Sequence, residues 1–164
     1  MKSHDSLLVE RLAGEVRRVG SSYHRLVLLV APVGTGKTAV LRQAAEHLGG
    51  RLVNLNLELS RRLLDLDLAA GERVLRFFDV LDDVLGLDEP AVFVCHTEML
   101  FDPAFQQDPL RLLRQLSRVR TVVAAWSGAV DGAFLTYAEP WHREHQRYPK
   151  DGLALVDMAG NTED

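Results

Sequence analysis

The segment Ala31-Pro32-Val33-Gly34-Thr35-Gly36-Lys37-Thr38 places two glycines, a lysine and a hydroxyl at the spacing that cradles a polyphosphate. Gly34 and Gly36 lack a Cβ, so the backbone can curl at positive φ and turn successive N–H groups toward anionic oxygens. Lys37 would set its ammonium between the β- and γ-phosphates, and the Thr38 hydroxyl would coordinate Mg²⁺. The pattern departs from G-x-x-x-x-G-K-[ST] only at its first position, where Ala31 replaces glycine. The chemistry implied is nucleoside triphosphate binding, with ATP and Mg²⁺ as the expected ligands. Residues 32–39, from Pro32 to Ala39, are the expected binding set. The competing reading is a glycine turn between a strand and a helix that happens to read GKT.

The flanking elements must hold that loop in place. The apolar run 26–30 reads as a strand and 39–46 as a helix, stopped by the Gly49-Gly50 pair, which suits a left-handed cap. Before them, Leu8, Leu12, Val16 and Val19 share one face of an N-terminal helix over about 5–19, capped by Asp5 or Ser6. Residues 52–57 read as a second strand, and Val74, Phe77, Phe78, Leu81, Val84 and Leu85 mark a long amphipathic helix ending before Gly86. Residues 91–95 form a third strand, 109–118 a helix with Pro109 in its first turn, 121–126 a fourth strand and 153–156 a last one. Short apolar strands alternating with helices predict a parallel sheet covered on both faces. The expected fold is a three-layer α/β P-loop NTPase of the ASCE or AAA-like kind, a single domain over 1–164. Its core runs over about 25–157, followed by a tail, with no separate lid domain.

Ligands of such sheets bind beyond the carboxyl ends of the strands, which nominates the residues closing each one. P-loop ATPases commonly end the third strand with an aspartate that orients Mg²⁺ and place a glutamate nearby to polarise water. Here the stretch reads Val94-Cys95-His96-Thr97-Glu98, so Cys95 occupies a degenerate Walker B position, and a thiol is a poor ligand for a hard cation. Glu98 is a candidate catalytic base or a glutamate at a helix start; His96 contacts phosphate or faces solvent; Cys95 is otherwise packed core. Glu58, near the end of the expected second strand, is an alternative base in the manner of RecA-like ATPases, or it serves the helix start at Ser60. Ser127 matches the polar sensor residue of AAA-type ATPases, or it is a small turn residue before Gly128.

The formal net charge of −4 over 164 residues does not advertise nucleic acid binding, although DNA stays open as a partner. Arg111, Arg114 and Arg118 form a stripe that reads as a solvated helix face, a contact for DNA or an acidic partner, or a finger toward a neighbour's γ-phosphate. Arg143 and Arg147 are better placed in sequence order as candidate arginine fingers. A single cysteine forms no internal disulfide, and no signal-like or membrane-spanning run appears, so a cytoplasmic protein with no membrane partner is expected.

Several stretches resemble the BrxF family, the small P-loop proteins of type III BREX, a bacterial phage-defence system. These are APVGTGKT (31–38), VNLNLELSRRLLD (53–65), LFDP (100–103), QDPLRLL (107–113) and TVVAAW (121–126). The resemblance spans roughly residues 7–156 and implies cytoplasmic action in anti-phage defence beside other BREX components: a larger ATPase, a DNA methyltransferase and a phosphatase-like protein. It also implies an Asp-x-x-Glu arrangement in which this chain keeps Glu98 but carries Cys95 for the aspartate. Two mechanisms are expected to compete. One is an ATPase that drives assembly or remodelling; the other is a nucleotide-gated switch with little turnover. A small-molecule kinase is a weaker third, for want of a basic lid. Without a lid domain, a neighbouring subunit of a homo-oligomer or another BREX component is expected to complete the site.

Overall fold

The computed structural model describes residues 3–137 and 146–159. Five strands form a parallel sheet in the order β2 (Arg51–Asn54), β3 (Ala91–Cys95), β4 (Thr121–Asp131), β1 (Leu26–Ala31), β7 (Ala154–Asp157). An additional strand, β4, thus stands between β1 and β3. The sheet is central because successive β1 side chains serve opposite faces. Leu26, Leu28 and Val30 pack toward one helical layer, and Val27 and Leu29 toward the other. Helices α1 (His4–Val19) and α2 (Lys37–Leu48) cover the second face, while α3 (Leu55–Leu66), α4 (Ala70–Leu85) and α5 (Pro109–Leu116) cover the first. This is a three-layer α/β architecture, with the parallel sheet between two helical layers. No described helix is long and apolar enough to cross a membrane.

Three expectations are corrected. Helix α1 is capped by Ser3, whose hydroxyl accepts the Ser6 N–H, and not by Asp5 or Ser6. The second strand stops at Asn54, because the Asn54 side chain accepts the Leu57 N–H at 3.1 Å and starts α3 there. Leu55, Leu59 and Leu63 then recur at helical spacing and are buried. The alternation of leucine with polar residues over 52–59 mimics a strand, and the cap overrides it. Finally, β4 does not end at Trp126. It continues to Asp131 and pairs antiparallel with β5 (Phe134–Tyr137), which pairs with β6 (Gln146–Pro149). At Gly128 a Cβ would lie 1.9 Å from the Thr136 carbonyl oxygen, so only glycine permits this close crossing.

Gly49, at φ 76°, closes α2 as expected, and Gly86 follows α4. The end of α4 is tied down by Arg120, buried at the foot of β4. Its guanidinium donates to the Gly86 carbonyl at 2.7 Å, the Leu116 carbonyl at 2.8 Å and the Asp82 carboxylate at 2.5 Å. Replacing Arg120 leaves the buried Leu116 carbonyl and the half-buried Gly86 carbonyl unsatisfied, whereas Asp82 is half exposed and its partner is replaceable by water. Arg120→Leu is therefore expected to cost about 3 kcal/mol of stability and Asp82→Asn under about 1 kcal/mol, read from urea unfolding midpoints. Equal losses for the two variants would contradict this account.

Candidate functional site

The loop between β1 and α2 adopts the curl expected of it. Gly34 and Gly36 sit at φ 80° and 91°, and a Cβ at either would meet nothing within 4 Å. What demands glycine here is backbone conformation, and the space beside each remains open to a ligand. Gly36 is the N-cap of α2 with no side chain bonded to the helix start, so the first N–H groups point into the loop unclaimed by a cap. Thr35 turns its hydroxyl back to the Pro32 carbonyl at 2.5 Å, closing the loop on itself. Val33 stands exposed at the tip, and Ala39 lies on the outer side of α2.

Lys37 is buried, and its ammonium donates to the carbonyls of Ala31 at 3.0 Å and Pro32 at 2.9 Å. Burial pushes its pKa down, and the Glu98 carboxylate pulls it partly back. An ammonium has three donors, so two carbonyls leave one for the cavity it lines. That cavity has a volume of about 170 Å³ and is also lined by Gly34, Gly36, Thr38, Glu98 and Ser127. Its floor is the carboxyl end of the sheet, as the topology requires.

Glu98 is fixed from two sides. Its Oε1 accepts from the Asn56 amide at 3.0 Å and its Oε2 from the Ser127 hydroxyl at 3.3 Å. Asn56 also accepts the Met99 N–H at 3.1 Å, and its own N–H donates to the His96 carbonyl at 3.0 Å. The first turn of α3 therefore grips both ends of the segment leaving β3. Glu98 opens a short 3-10 helix, Glu98–Phe101, whose far end is held by Phe101 stacked on Tyr137 at 3.5 Å and set edge-on to Trp126 at 5.0 Å. His96 lines the cavity, exposed, at φ 54°, a left-handed conformation uncommon for a residue with a Cβ. Glu98 thus stands at a helix start, as one reading of the sequence has it, and is presented at the cavity as well.

Cys95 closes β3 and is buried against α2. Its thiol donates to the Val53 carbonyl at 3.5 Å and neighbours the Thr38 hydroxyl. Burial pushes the thiol pKa up; the Thr38 hydrogen bond and the charge of Arg42 pull against that, and Glu98 adds to it. The Cys95 thiol therefore stays protonated at neutral pH, a soft neutral group beside Thr38. No group of three or more His, Cys, Asp or Glu able to hold a metal occurs among the described residues. The donors fit phosphate without reserve, and fit Mg²⁺ through Thr38 and Glu98 with help from the phosphates.

Two sequence nominations need correction. Glu58 does not close a strand. It lies in the first turn of α3, 3.5 Å from Arg61, outside the cavity, where its charge favours the helix start. Ser127 is not in a turn but in the continuous strand β4, in register with Ala31 of β1. That register aims it at the loop. Of the candidate fingers, Arg147 sits on β6 with its guanidinium 3.7 Å over the Phe134 ring, away from the cavity, and Arg143 lies outside the described residues. Asn56 falls within the stretch 52–57 that reads as a strand. Its role as the clamp of Glu98 depends on α3 starting at Leu55, which the alternating leucines concealed.

No protein-family model matches the chain, and no curated protein matches it either. Among solved structures it is similar to PCH-2 from C. elegans, at 18% identity and a TM-score of 0.47 over 78% of this chain and 39% of that one. It is also similar to AMPPCP-bound DnaA from Aquifex aeolicus, at 17% identity and a TM-score of 0.49 over 91% of this chain and 44% of that one. The chain therefore spans less than half the length of either.

A thiol that is buried and kept protonated reacts slowly with electrophiles. Iodoacetamide at about pH 7.5 is expected to label Cys95 at least about tenfold more slowly in the folded chain than in urea, as read by mass spectrometry. Equal rates would place the thiol in solvent.

Proposed function

We propose that the chain binds ATP through its phosphates in the cavity between the β1–α2 loop and the end of β3, and hydrolyses it slowly. The observation that supports this reading is the convergence of Lys37, Thr38 and the open left-handed glycines with a doubly held Glu98 in one cavity. Small-molecule pockets usually measure about 300–1,000 Å³, so the cavity's roughly 170 Å³ suits the polyphosphate end and leaves the rest of the nucleotide outside. Lys37 would turn its remaining donor to the phosphates, and the uncapped start of α2 would add backbone N–H groups. When bound, Mg²⁺ neutralises charge developing on the transferred phosphoryl group. Glu98 would orient and deprotonate the attacking water, and Ser127 and Asn56 hold its two oxygens in the direction that task requires.

Cys95 supports a second reading. A protonated thiol beside Thr38 supplies no carboxylate to the cation or its waters, which favours a chain that responds to occupancy more than it turns ATP over. A partner copy, or another component, would cover the nucleotide's exposed part. The stretches that resemble the BrxF family support, as an extension of the proposal, action beside other BREX components in anti-phage defence.

Phosphate release from saturating MgATP, with equilibrium binding measured in parallel, tests the reading. Lys37→Ala is expected to weaken ATP binding by about tenfold or more and to abolish release. Cys95→Asp is expected to raise release about tenfold, because it restores a carboxylate next to Thr38. Wild-type binding that survives Lys37→Ala unchanged would sink the assignment. Release unaltered by Cys95→Asp while Glu98→Gln abolishes it would leave the ATPase and remove the thiol's restraining role.

A further inference from the structure

The opposite end of the sheet carries two cavities that meet at Tyr23. There the C-terminal ends of α1 and α5 and the segment entering β1 bring arginines together around Tyr23 and His24. A cavity of about 390 Å³ is lined there by Arg18, Ser22, Tyr23, His24 and Arg114, with its floor at the start of β1 and β7. A second, of about 620 Å³, lies on the other side of Tyr23, with Phe78, Leu87, Val119 and Arg118 in its wall. The two hollows share Tyr23, which is 66% exposed, and Leu87 and Val119 are exposed with it.

The charges here are out of balance. Arg18 is occupied by Glu15 at 2.6 Å, and Arg120 and Asp82 satisfy each other. Arg25, Arg114 and Arg118 have no carboxylate partner among the described residues. Arg25 reaches only the Arg118 carbonyl, at 3.4 Å, and Arg118 lies 4.7 Å over the Tyr23 ring. His24 is edge-on to Tyr23 at 4.8 Å, and its pKa is pushed down by burial and then by Arg114 and Arg118. A chain of net charge −4 thus gathers uncompensated guanidinium groups at one pole, a cost that an anionic ligand would relieve.

We infer that this pole binds single-stranded nucleic acid. Guanidinium forks pair bidentately with phosphate oxygens, and the strand would be neutralised by Arg25, Arg114 and Arg118. Bases would stack on the Tyr23 face opposite Arg118 and lie in the two hollows, as an aromatic platform beside a basic groove permits. Two hollows flanking one ring match successive nucleotides of an open strand. A duplex, whose bases are stacked inside, gains only the phosphate contacts. An acidic peptide would satisfy the arginines but leave the ring face opposite Arg118 without a flat partner.

Fluorescence anisotropy with a labelled oligothymidylate of about 20 nucleotides, at about 50 mM salt and then rising salt, tests the inference on the full chain. Arg114→Ala/Arg118→Ala is expected to weaken binding by about tenfold or more and to lower the slope of log K against log salt by about 1.4, for two lost phosphate contacts. Tyr23→Ala is expected to weaken it at least about fivefold and Tyr23→Phe to retain it. Lys37→Ala should leave oligonucleotide binding intact, which separates this pole from the ATP cavity. Both arginines are at least partly exposed, and thermal melting confirms that the variants fold. No binding at low salt would overturn the inference. So would binding indifferent to the double variant, loss in Lys37→Ala, or displacement by polyglutamate at equal charge, the last pointing to an acidic protein.

Discussion

A charged ammonium lies inside this protein, and its desolvation governs the layout around it. Lys37 must be buried to reach the cavity from the head of α2, and a buried cation needs acceptors close by. The loop supplies them by bending until the carbonyls of Ala31 and Pro32 face inward, which forces the left-handed turns at Gly34 and Gly36. The remaining compensation comes from Glu98, and that carboxylate has to be brought to the same place by a different part of the chain. Loop conformation, strand order and the position of the acidic residue are thus parts of one electrostatic problem. The solution costs the lysine part of its basicity and leaves a donor facing the space where an anion fits.

Glu98 gets there through packing as much as through the sheet. Strand β3 delivers the chain to the cavity, but the orientation is set by the amide of Asn56 on one side and by Ser127 on the other. Behind them, the rings of Phe101, Trp126 and Tyr137 hold the 3-10 turn against the start of the antiparallel ribbon. Cys95, one residue before the bend at His96, fills its place as a small apolar group would, hydrogen-bonded and shielded. The site therefore joins a rigid acidic arm to a glycine-rich loop with a neutral sulfur at their junction.

Much of this was legible in the sequence, and the exceptions have physical causes. The β1–α2 loop, both flanking elements and Glu98 follow from local patterns: an apolar run, glycines before a lysine, and a helix period afterward. The start of α3 did not, because leucines at alternate positions satisfy a strand as well as a helix until Asn54 caps the Leu57 N–H. With α3 hidden, Glu58 looked like a strand-end base and Asn56 like a bystander. The antiparallel ribbon was hidden for another reason. Asp131-Gly132 between apolar residues is a local hairpin signal, with Gly132 at φ 59°, but the course of the ribbon depends on the close crossing at Gly128, a tertiary contact that no local pattern encodes. The pole around Tyr23 was only half visible. The arginine stripe of α5 could be counted, but its meeting with Arg25 and the aromatic ring depends on where β1 begins.

Strand β4 belongs to two sheets at once, and this sets a counting rule on its length. Its parallel half is registered on β1, so that Ser127 sits beside Ala31, and its antiparallel half is registered on β5 through Gly128 opposite Tyr137. One residue added between Thr121 and Ser127 would exchange the two faces, turning a tryptophan toward the β1–α2 loop and a serine into the aromatic cluster. Two residues would restore the faces but move the serine along the strand by about 7 Å, beyond hydrogen-bonding reach of Glu98. The strand is therefore a ruler whose graduations cannot be changed. Homologous chains that keep this site should vary in their loops and helices, while the number of residues from the foot of β4 to its serine stays constant.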